Sequence, residues 1–345
     1  MSVFHWITIE TGSETYNVYD VDISTVKRID SFAHVIPKDV HDTVAAEAAA
    51  GENQFEFPSH FWDRSARLAD MDRHGIDKQV LALSPPTIWT HISDDELLPF
   101  VEFANDRVAE YADATPERFL PVASIPRVDE KYVAEVKRCI EDLGMIGVQL
   151  FSNVNGQPLD DPPCLELYEY AERNGVPLWI HPQSHSWYPW INSFEERVFG
   201  WLFDTALAQC RLVFSGVLEA YPDLQILIHH MGSLVPHFYP RIDEFYQRQS
   251  VSPYTVREKL TAAPSEYFQS LYVDTVTNGS RQSLERGLDF YGTAQILFAS
   301  DYPFGPGRSN GLGKNVQTVN DILADTATKQ AIFADNFVTF RDPDT

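Results

Sequence analysis

Cysteine is scarce: the chain of 345 residues holds three, Cys139, Cys164 and Cys210, far apart and without a CxxC pair. That spacing excludes a disulfide framework and a thiolate zinc site, so the three thiols are expected to be free and mostly buried. Long apolar runs are missing as well. Nothing approaches the roughly 18 residues of a membrane-spanning helix, and the opening "MSVFHWITIETGSETY" has neither the basic start nor the apolar core of a signal peptide. A cytoplasmic protein with no membrane partner is expected. Positive charge is the third shortage: 26 basic residues face 50 acidic ones, a formal net charge of -24. The resulting field repels nucleic acid and anionic lipid, which excludes both as partners. A well-solvated acidic surface is the simpler account of this balance, and adaptation to a salty cytoplasm is the other. A glycine-rich phosphate turn is also lacking after the first apolar run, where "SFAHVIP" stands instead. Its absence argues against a doubly wound open sheet.

What the chain does have is a regular alternation. Eight short apolar runs read as strands: residues 27–34, 78–84, 119–126, 147–153, 177–183, 225–232, 270–277 and 295–303. Segments of helical spacing lie between them, such as "SARLADMDRHG" ending at Gly75 and "PCLELYEYAERNG" ending at Gly175, where glycine enters the left-handed conformation that stops a helix. Near-continuous apolar strands separated by helices indicate a parallel sheet covered on both faces, and eight strands close a barrel. The expected fold is α/β, a (β/α)8 TIM barrel over residues 27–345, preceded by a β-hairpin in residues 1–26 around the turn "TGSE". One long aromatic connection, "SHSWYPWINSFEERV" at 184–198, follows the fifth strand and is placed to shape a pocket.

Residues at the carboxyl ends of barrel strands converge on one mouth. Toward the strand ends lie His34 in the first run, His181 in the fifth, His230 in the sixth and Asp301 in the eighth. Imidazole and carboxylate together hold zinc, manganese or iron while leaving a position open for water or substrate. A lone buried histidine is more often a hydrogen-bonded core residue than a ligand, so the case rests on the set.

The stretches "IDSFAHVIP", "FWDRSARLADMDRHGID", "VPLWIHPQ", "GVLEAYPDLQILIHHMGSLVPHFYPRID", "ILFASDYPFG" and "IFADNFVTF" together resemble the amidohydrolase-related proteins, in the branch of aminocarboxymuconate-semialdehyde decarboxylase and related nonoxidative decarboxylases. The resemblance implies a distorted (β/α)8 barrel, commonly dimeric, with a single divalent metal in many members. Carried over by position, it implies metal ligands at His34, His181 and Asp301, and an acid/base histidine at His230. His229 is then the inward or supporting neighbour, with a structural role. One family ligand, the first histidine of a His-x-His pair, is Phe32 here, and phenylalanine cannot bind a metal. The fourth run, "GVQLFSN", carries no lysine or glutamate to bridge two ions, so a binuclear site is excluded. The arginine that some decarboxylases offer to the substrate carboxylate has no equivalent in "ENQFEFPSHFWD", which leaves His60 or Arg308 as substitute donors.

Two readings of the site stay open. In one, His34, His181 and Asp301 hold one zinc or manganese ion with solvent in the vacant place. In the other the site is metal-free and the same groups act as acids and bases. The favoured reaction is nonoxidative decarboxylation of a small aromatic or enol-type carboxylic acid, with His230 delivering the proton and Asp301 as ligand or partner. Trp187, Tyr188, Trp190 and Phe304 could wall a flat ring, with His185 and Phe32 as further substrate contacts. Hydrolysis of a lactone, ester or amide is the alternative chemistry, and a non-catalytic ligand-binding barrel is the alternative class. A homodimer is expected in either case.

Overall fold

The computed structural model describes residues 6–11, 14–19, 28–50, 56–84, 86–154, 156–183, 193–248, 260–304 and 310–343. An antiparallel hairpin, β1 (Trp6–Thr11) and β2 (Glu14–Tyr19), comes first. β3 (Ile29–Val35), β4 (Lys78–Leu83) and β5 (Phe119–Pro121) then form one parallel sheet. A second parallel sheet holds β6 (Ala123–Ser124) and β7 (Val148–Phe151). A small antiparallel pair, β8 (Asn153–Val154) and β9 (Gln157–Pro158), interrupts the order. The second sheet continues through β10 (Leu178–His181), β11 (Ile226–Ile228), β12 (Tyr272–Asp274) and β13 (Ile296–Leu297).

The two parallel sheets are one closed barrel. β5 and β6 are a single strand broken at Val122, whose N–H donates to Leu81 O while the N–H of Ala123 donates to Gly147 O. At the other seam Ser31 N–H donates to Phe298 O at 2.8 Å, His34 N–H to Tyr302 O at 2.6 Å and Asp301 N–H to Phe32 O at 3.1 Å. Each of the eight apolar runs read from the sequence contains a barrel strand, to within one residue at the end of β3. The two glycines expected to stop helices do so: Gly75 follows Arg64–His74 with φ 65°, and Gly175 follows Pro162–Arg173 and its cap Asn174 with φ 59°.

Side-chain parity separates two cores. Odd and even residues of a strand face opposite ways, so alternate positions fill the barrel while the others meet the helices. Phe32, Val80, Ala82, Trp179, Leu227, Tyr272, Leu297 and Ala299 belong to the interior cluster, and Leu81, Leu83, Leu178, Ile180, Ile226, Ile228, Val273 and Phe298 to the outer one. The helix Asn336–Arg341 closes the lower end by adding Phe337 and Phe340 to the interior, with Phe340 5.1 Å from Trp179 and 4.9 Å from Tyr272 between ring centroids. Continuing the interior parity past each strand brings His34, Ser84, His181, His229, Asp274 and Asp301 to the upper mouth.

Cys139, Cys164 and Cys210 are free. No described helix is long and apolar enough to cross a membrane. The connection expected as loop at 184–198 lies outside the described residues up to 192, and from Ser193 it is helical, running on into the helix Trp201–Phe214. Helix formers Glu195, Glu196 and Arg197 and the absence of proline between Pro189 and Pro222 account for that difference.

Candidate active site

The mouth is organised around Asp274, at the end of β12. Its side chain accepts from Nδ1 of His229, from the backbone N–H of His230 at 3.0 Å and from that of Val276 at 2.9 Å. Its carbonyl accepts from Met231 N–H at 3.1 Å. These bonds hold a turn in which His230, Met231, Gly232 and Ser233 all have left-handed backbone, with φ of 59°, 54°, 67° and 58°. Left-handed geometry costs a non-glycine residue about 1–2 kcal/mol, and such strain persists only where surrounding bonds over-determine it. Here Gln209 Nε2 donates to Gly232 O at 3.0 Å, and the Ser233 hydroxyl donates to Leu202 O, completing the clamp.

His34, His229 and Asp301 come into ligand range of one another, with one ligand atom from each within 4.8 Å of the others. His34 Nε2 lies 3.0 Å from Asp301 Oδ1 and His229 Nε2 lies 3.5 Å from the same oxygen. Neither nitrogen has a hydrogen bond, although both are buried. Two imidazole nitrogens that face the Asp301 carboxylate and have no other polar partner, together with that carboxylate oxygen, fit a divalent cation.

The trio differs from the ligand set expected from the sequence. His181 is near, its ring centroid 5.0 Å from His34 and 5.8 Å from His229, but its nitrogens are otherwise engaged. Nδ1 is 2.6 Å from Pro182 O, to which it donates, and Nε2 lies 3.3 Å from the Ser84 hydroxyl. His229, expected as the inward or supporting neighbour, is inward: it has the interior parity of Leu227 and points into the site. His230 sits beside it, ring centroids 3.9 Å apart, with Nδ1 buried and without a hydrogen bond.

Burial sets most of the electrostatics. It lowers the pKa of His34 against the pull of Asp301, and takes His181 well below the ordinary value, helped by the charges of His34 and His229. His230 is pushed down to about 3 by burial and then by His229. For His229 burial works in the same direction, but Asp274 and then Asp301 outweigh it and raise the imidazole to about 10. Burial opposes ionisation of Asp301, yet its contacts with His229 and His34 hold the carboxyl well below the usual range.

Phe32 lies under these rings, with centroids 5.1 Å from His34, 4.6 Å from His229 and 6.0 Å from His181. It has no exposed surface, so it is the floor of the site rather than a substrate-facing wall. Phe304 is half-buried at the rim, 5.6 Å from His34 and 5.0 Å from Phe61. His185, Trp187, Tyr188, Trp190 and Arg308 lie outside the described residues. His60 sits in the turn Ser59–Phe61, next to the phenylalanine that meets Phe304. Asp274 and Ser84 were not singled out in the sequence. Ser84 ends the run 78–84 and Asp274 is the acidic residue of the run 270–277, where it ends β12, so the strand-end criterion that selected Asp301 applies to both.

A closed (β/α)8 barrel with imidazoles and a carboxylate gathered at its carboxyl-terminal mouth is the build of a barrel enzyme with acid/base and cation-binding groups. The chain belongs to the amidohydrolase family, which it matches over residues 29–336. It is similar to 2-amino-3-carboxymuconate-6-semialdehyde decarboxylase of Dictyostelium discoideum, 28% identical over 309 residues covering 80% of this chain and 82% of the relative. With gamma-resorcylate decarboxylase of Rhizobium radiobacter it shares 30% identity over 258 residues, 70% of this chain and 77% of the relative. Its fold is like that of 5-carboxyvanillate decarboxylase from Novosphingobium aromaticivorans, solved with manganese and 4-hydroxy-3-methoxy-5-nitrobenzoic acid. That likeness has a TM-score of 0.81 at 23% identity and covers 92% of this chain and 96% of the other.

Proposed function

We propose that this protein is a nonoxidative decarboxylase of a small aromatic or enol-type carboxylic acid, working with one divalent cation, manganese or zinc. The observation that carries the reading is the buried convergence of His34, His229 and Asp301, with His230 beside them, in a chain similar to decarboxylases over most of its length. Decarboxylation breaks the bond between the ring carbon and the carboxylate, and the electron pair left on that carbon takes up a proton. No oxidant is needed. His230 is assigned to that transfer: its Nδ1 has no hydrogen bond, so it can take up a proton from solvent and pass it to the ring carbon as the carboxylate leaves as carbon dioxide. His34 and Asp301, with a further imidazole from His181 or His229, would hold the cation. When bound, it supplies positive charge for the substrate's carboxylate and hydroxyl oxygens. Phe304 at the rim presents an aromatic face to a flat substrate, and His185, Trp187 and Tyr188 are kept as further substrate contacts.

We also infer a cytoplasmic homodimer. Phe194, Phe199, Phe238 and Phe245 are 73%, 68%, 52% and 52% exposed, more large apolar surface than isolated residues need, and sedimentation tests whether a second copy covers it. The free cysteines agree with a reducing compartment. The deciding experiment for the reaction is a screen of hydroxybenzoic acids, including 2,6-dihydroxybenzoate and 5-carboxyvanillate, with carbon dioxide release measured after loading with manganese or zinc. Turnover of at least one acid is expected, with kcat reduced about 10²- to 10⁴-fold in His230→Asn. Hydrolysis of lactones in its place, with no acid decarboxylated, would refute the proposal.

A further inference from the structure

We propose that His229 takes the ligand position that Phe32 gives up, so that the cation is held by His34, His229 and Asp301. The inference rests on the metal-dependent reading above and specifies its ligand set.

Three observations lead to it. First, the trio is the set whose ligand atoms converge, and two of those atoms, Nε2 of His34 and Nε2 of His229, are buried without a hydrogen bond. Second, the rest of the His229 ring is prepared for coordination. Nδ1 is bonded to Asp274, so the proton of a neutral ring resides there and the Nε2 lone pair is left for a cation. A carboxylate behind a histidine in this way fixes ring and tautomer at metal centres. Asp274 is itself anchored by the backbone N–H groups of His230 and Val276. Third, His181 falls outside the convergent set: its Nδ1 donates to Pro182 O, which leaves the Nε2 lone pair available, but that lone pair already faces the Ser84 hydroxyl at 3.3 Å.

Phe32 and His229 are adjacent across the barrel interior, their centroids 4.6 Å apart, the shortest of the three distances from Phe32 to the imidazoles. The phenyl ring fills the space on the β3 side while the imidazole enters from β11. Three ligands result: His229 enters from β11, and neither position 32 nor His181 supplies one. An ion-paired core of His229 with Asp274 and Asp301, holding no metal, is the competing account.

The test is titration of chelator-treated protein with manganese, zinc and cobalt by calorimetry, with the cobalt absorption spectrum as a second readout. One equivalent is expected. His229→Gln should lower affinity at least about 100-fold and alter the cobalt spectrum, Asp274→Asn should lower it about 10- to 100-fold, and His181→Gln should change it less than about 10-fold. Adding Phe32→His to His229→Gln should restore binding, which a merely misfolded His229 variant would not allow. Tight binding in His229→Gln with loss in His181→Gln overturns the assignment, as does failure of the unaltered protein to bind any of the three metals. Carbon dioxide release is scored separately. Binding through His229 without turnover refutes only the decarboxylase reading, and turnover with metal retained in His229→Gln refutes only this one.

Discussion

Arg67→Met is the substitution that most directly tests how the barrel holds its mouth. Arg67 is fully buried, in the helix Arg64–His74. Its Nη1 donates to Gln79 Oε1 at 2.8 Å and its Nη2 to the carbonyl of His34 at 2.6 Å, while the guanidinium carbon stands 4.7 Å from the centroid of the Tyr302 ring. Gln79 passes the connection on, its Nε2 donating to Asp30 at 2.7 Å. One side chain thus ties β3 at His34, β4 at Gln79 and the residue after Asp301. Methionine keeps most of the stem volume but leaves two buried acceptors without a donor, at about 1–3 kcal/mol each, and removes a cation–π contact of about 1–2 kcal/mol. Relief from burying a guanidinium offsets part of this, and the net loss is about 4 kcal/mol. With an unfolding entropy of roughly 2 cal/mol/K per residue, that lowers the melting midpoint of a chain this size by about 5 °C. Arg67→Lys should recover less than half, because an ammonium cannot serve both acceptors in the geometry of the fork. Differential scanning calorimetry reads both variants. A midpoint for Arg67→Met within about 1 °C of the unaltered protein would show that these bonds do not hold the strands, and the reasoning would be wrong.

Three further outcomes are expected. Burial raises the pKa of Asp30 from 3.8 to about 6 despite hydrogen bonds from Ser300 and Gln79, so its contribution to stability is full below 3.8 and is lost as pH rises through 6. The loss is about 3 kcal/mol, and the stability deficit of Asp30→Asn should shrink by up to that amount between pH 4 and 7; a deficit independent of pH would contradict it. Gly232→Ala places a Cβ 2.0 Å from the Tyr291 hydroxyl in a residue with φ +67°, which should destabilise by about 2–4 kcal/mol in denaturant titrations. Trp179→Phe removes the donor to Ser31 O at 2.8 Å inside the barrel and should cost about 1–3 kcal/mol, measured by urea unfolding followed by circular dichroism.

The barrel was legible because its strands are buried on both faces. Such strands read as apolar runs of strand length, and helices with glycine stops separate them. Less was legible inside the third run, "FLPVASIP", where the strand breaks at Val122 and changes hydrogen-bonding partner. The strand-end rule found His34, His181 and Asp301, but not the part Asp274 plays. That part depends on His229, 45 residues away, and no local spacing encodes it. The left-handed turn was hidden for a different reason: His230, Met231 and Ser233 disfavour that backbone, and only Gly232 hints at it. Nothing in the spacing of "SARLADMDRHG" marks Arg67 as buried, and only the packed helix shows it without exposed surface.

The same geometry explains how a ligand can change strand while the fold stays as it is. Every barrel strand offers an interior position at the mouth, so the positions form a ring, and a cation requires convergent lone pairs rather than donors from particular strands. Phenylalanine at position 32 keeps the interior packed where a ligand would leave a polar group, which suits the apolar cluster of Val80, Ala82 and Leu227 around it. The imidazole entering from β11 needs a second-strand support, and Asp274 on the neighbouring β12 supplies it. The left-handed turn after β11 is what brings both histidines of "HHMG" to the mouth. Extended backbone would turn consecutive side chains to opposite faces, whereas the turn begins at His230 and keeps its ring 3.9 Å from that of His229. Phe32, His229, Asp274 and the strained turn therefore form one linked arrangement. Placing histidine at position 32 while Asp274 and the turn remain would put a fourth donor beside three that already converge, so Phe32→His alone should tighten cobalt binding and change its spectrum.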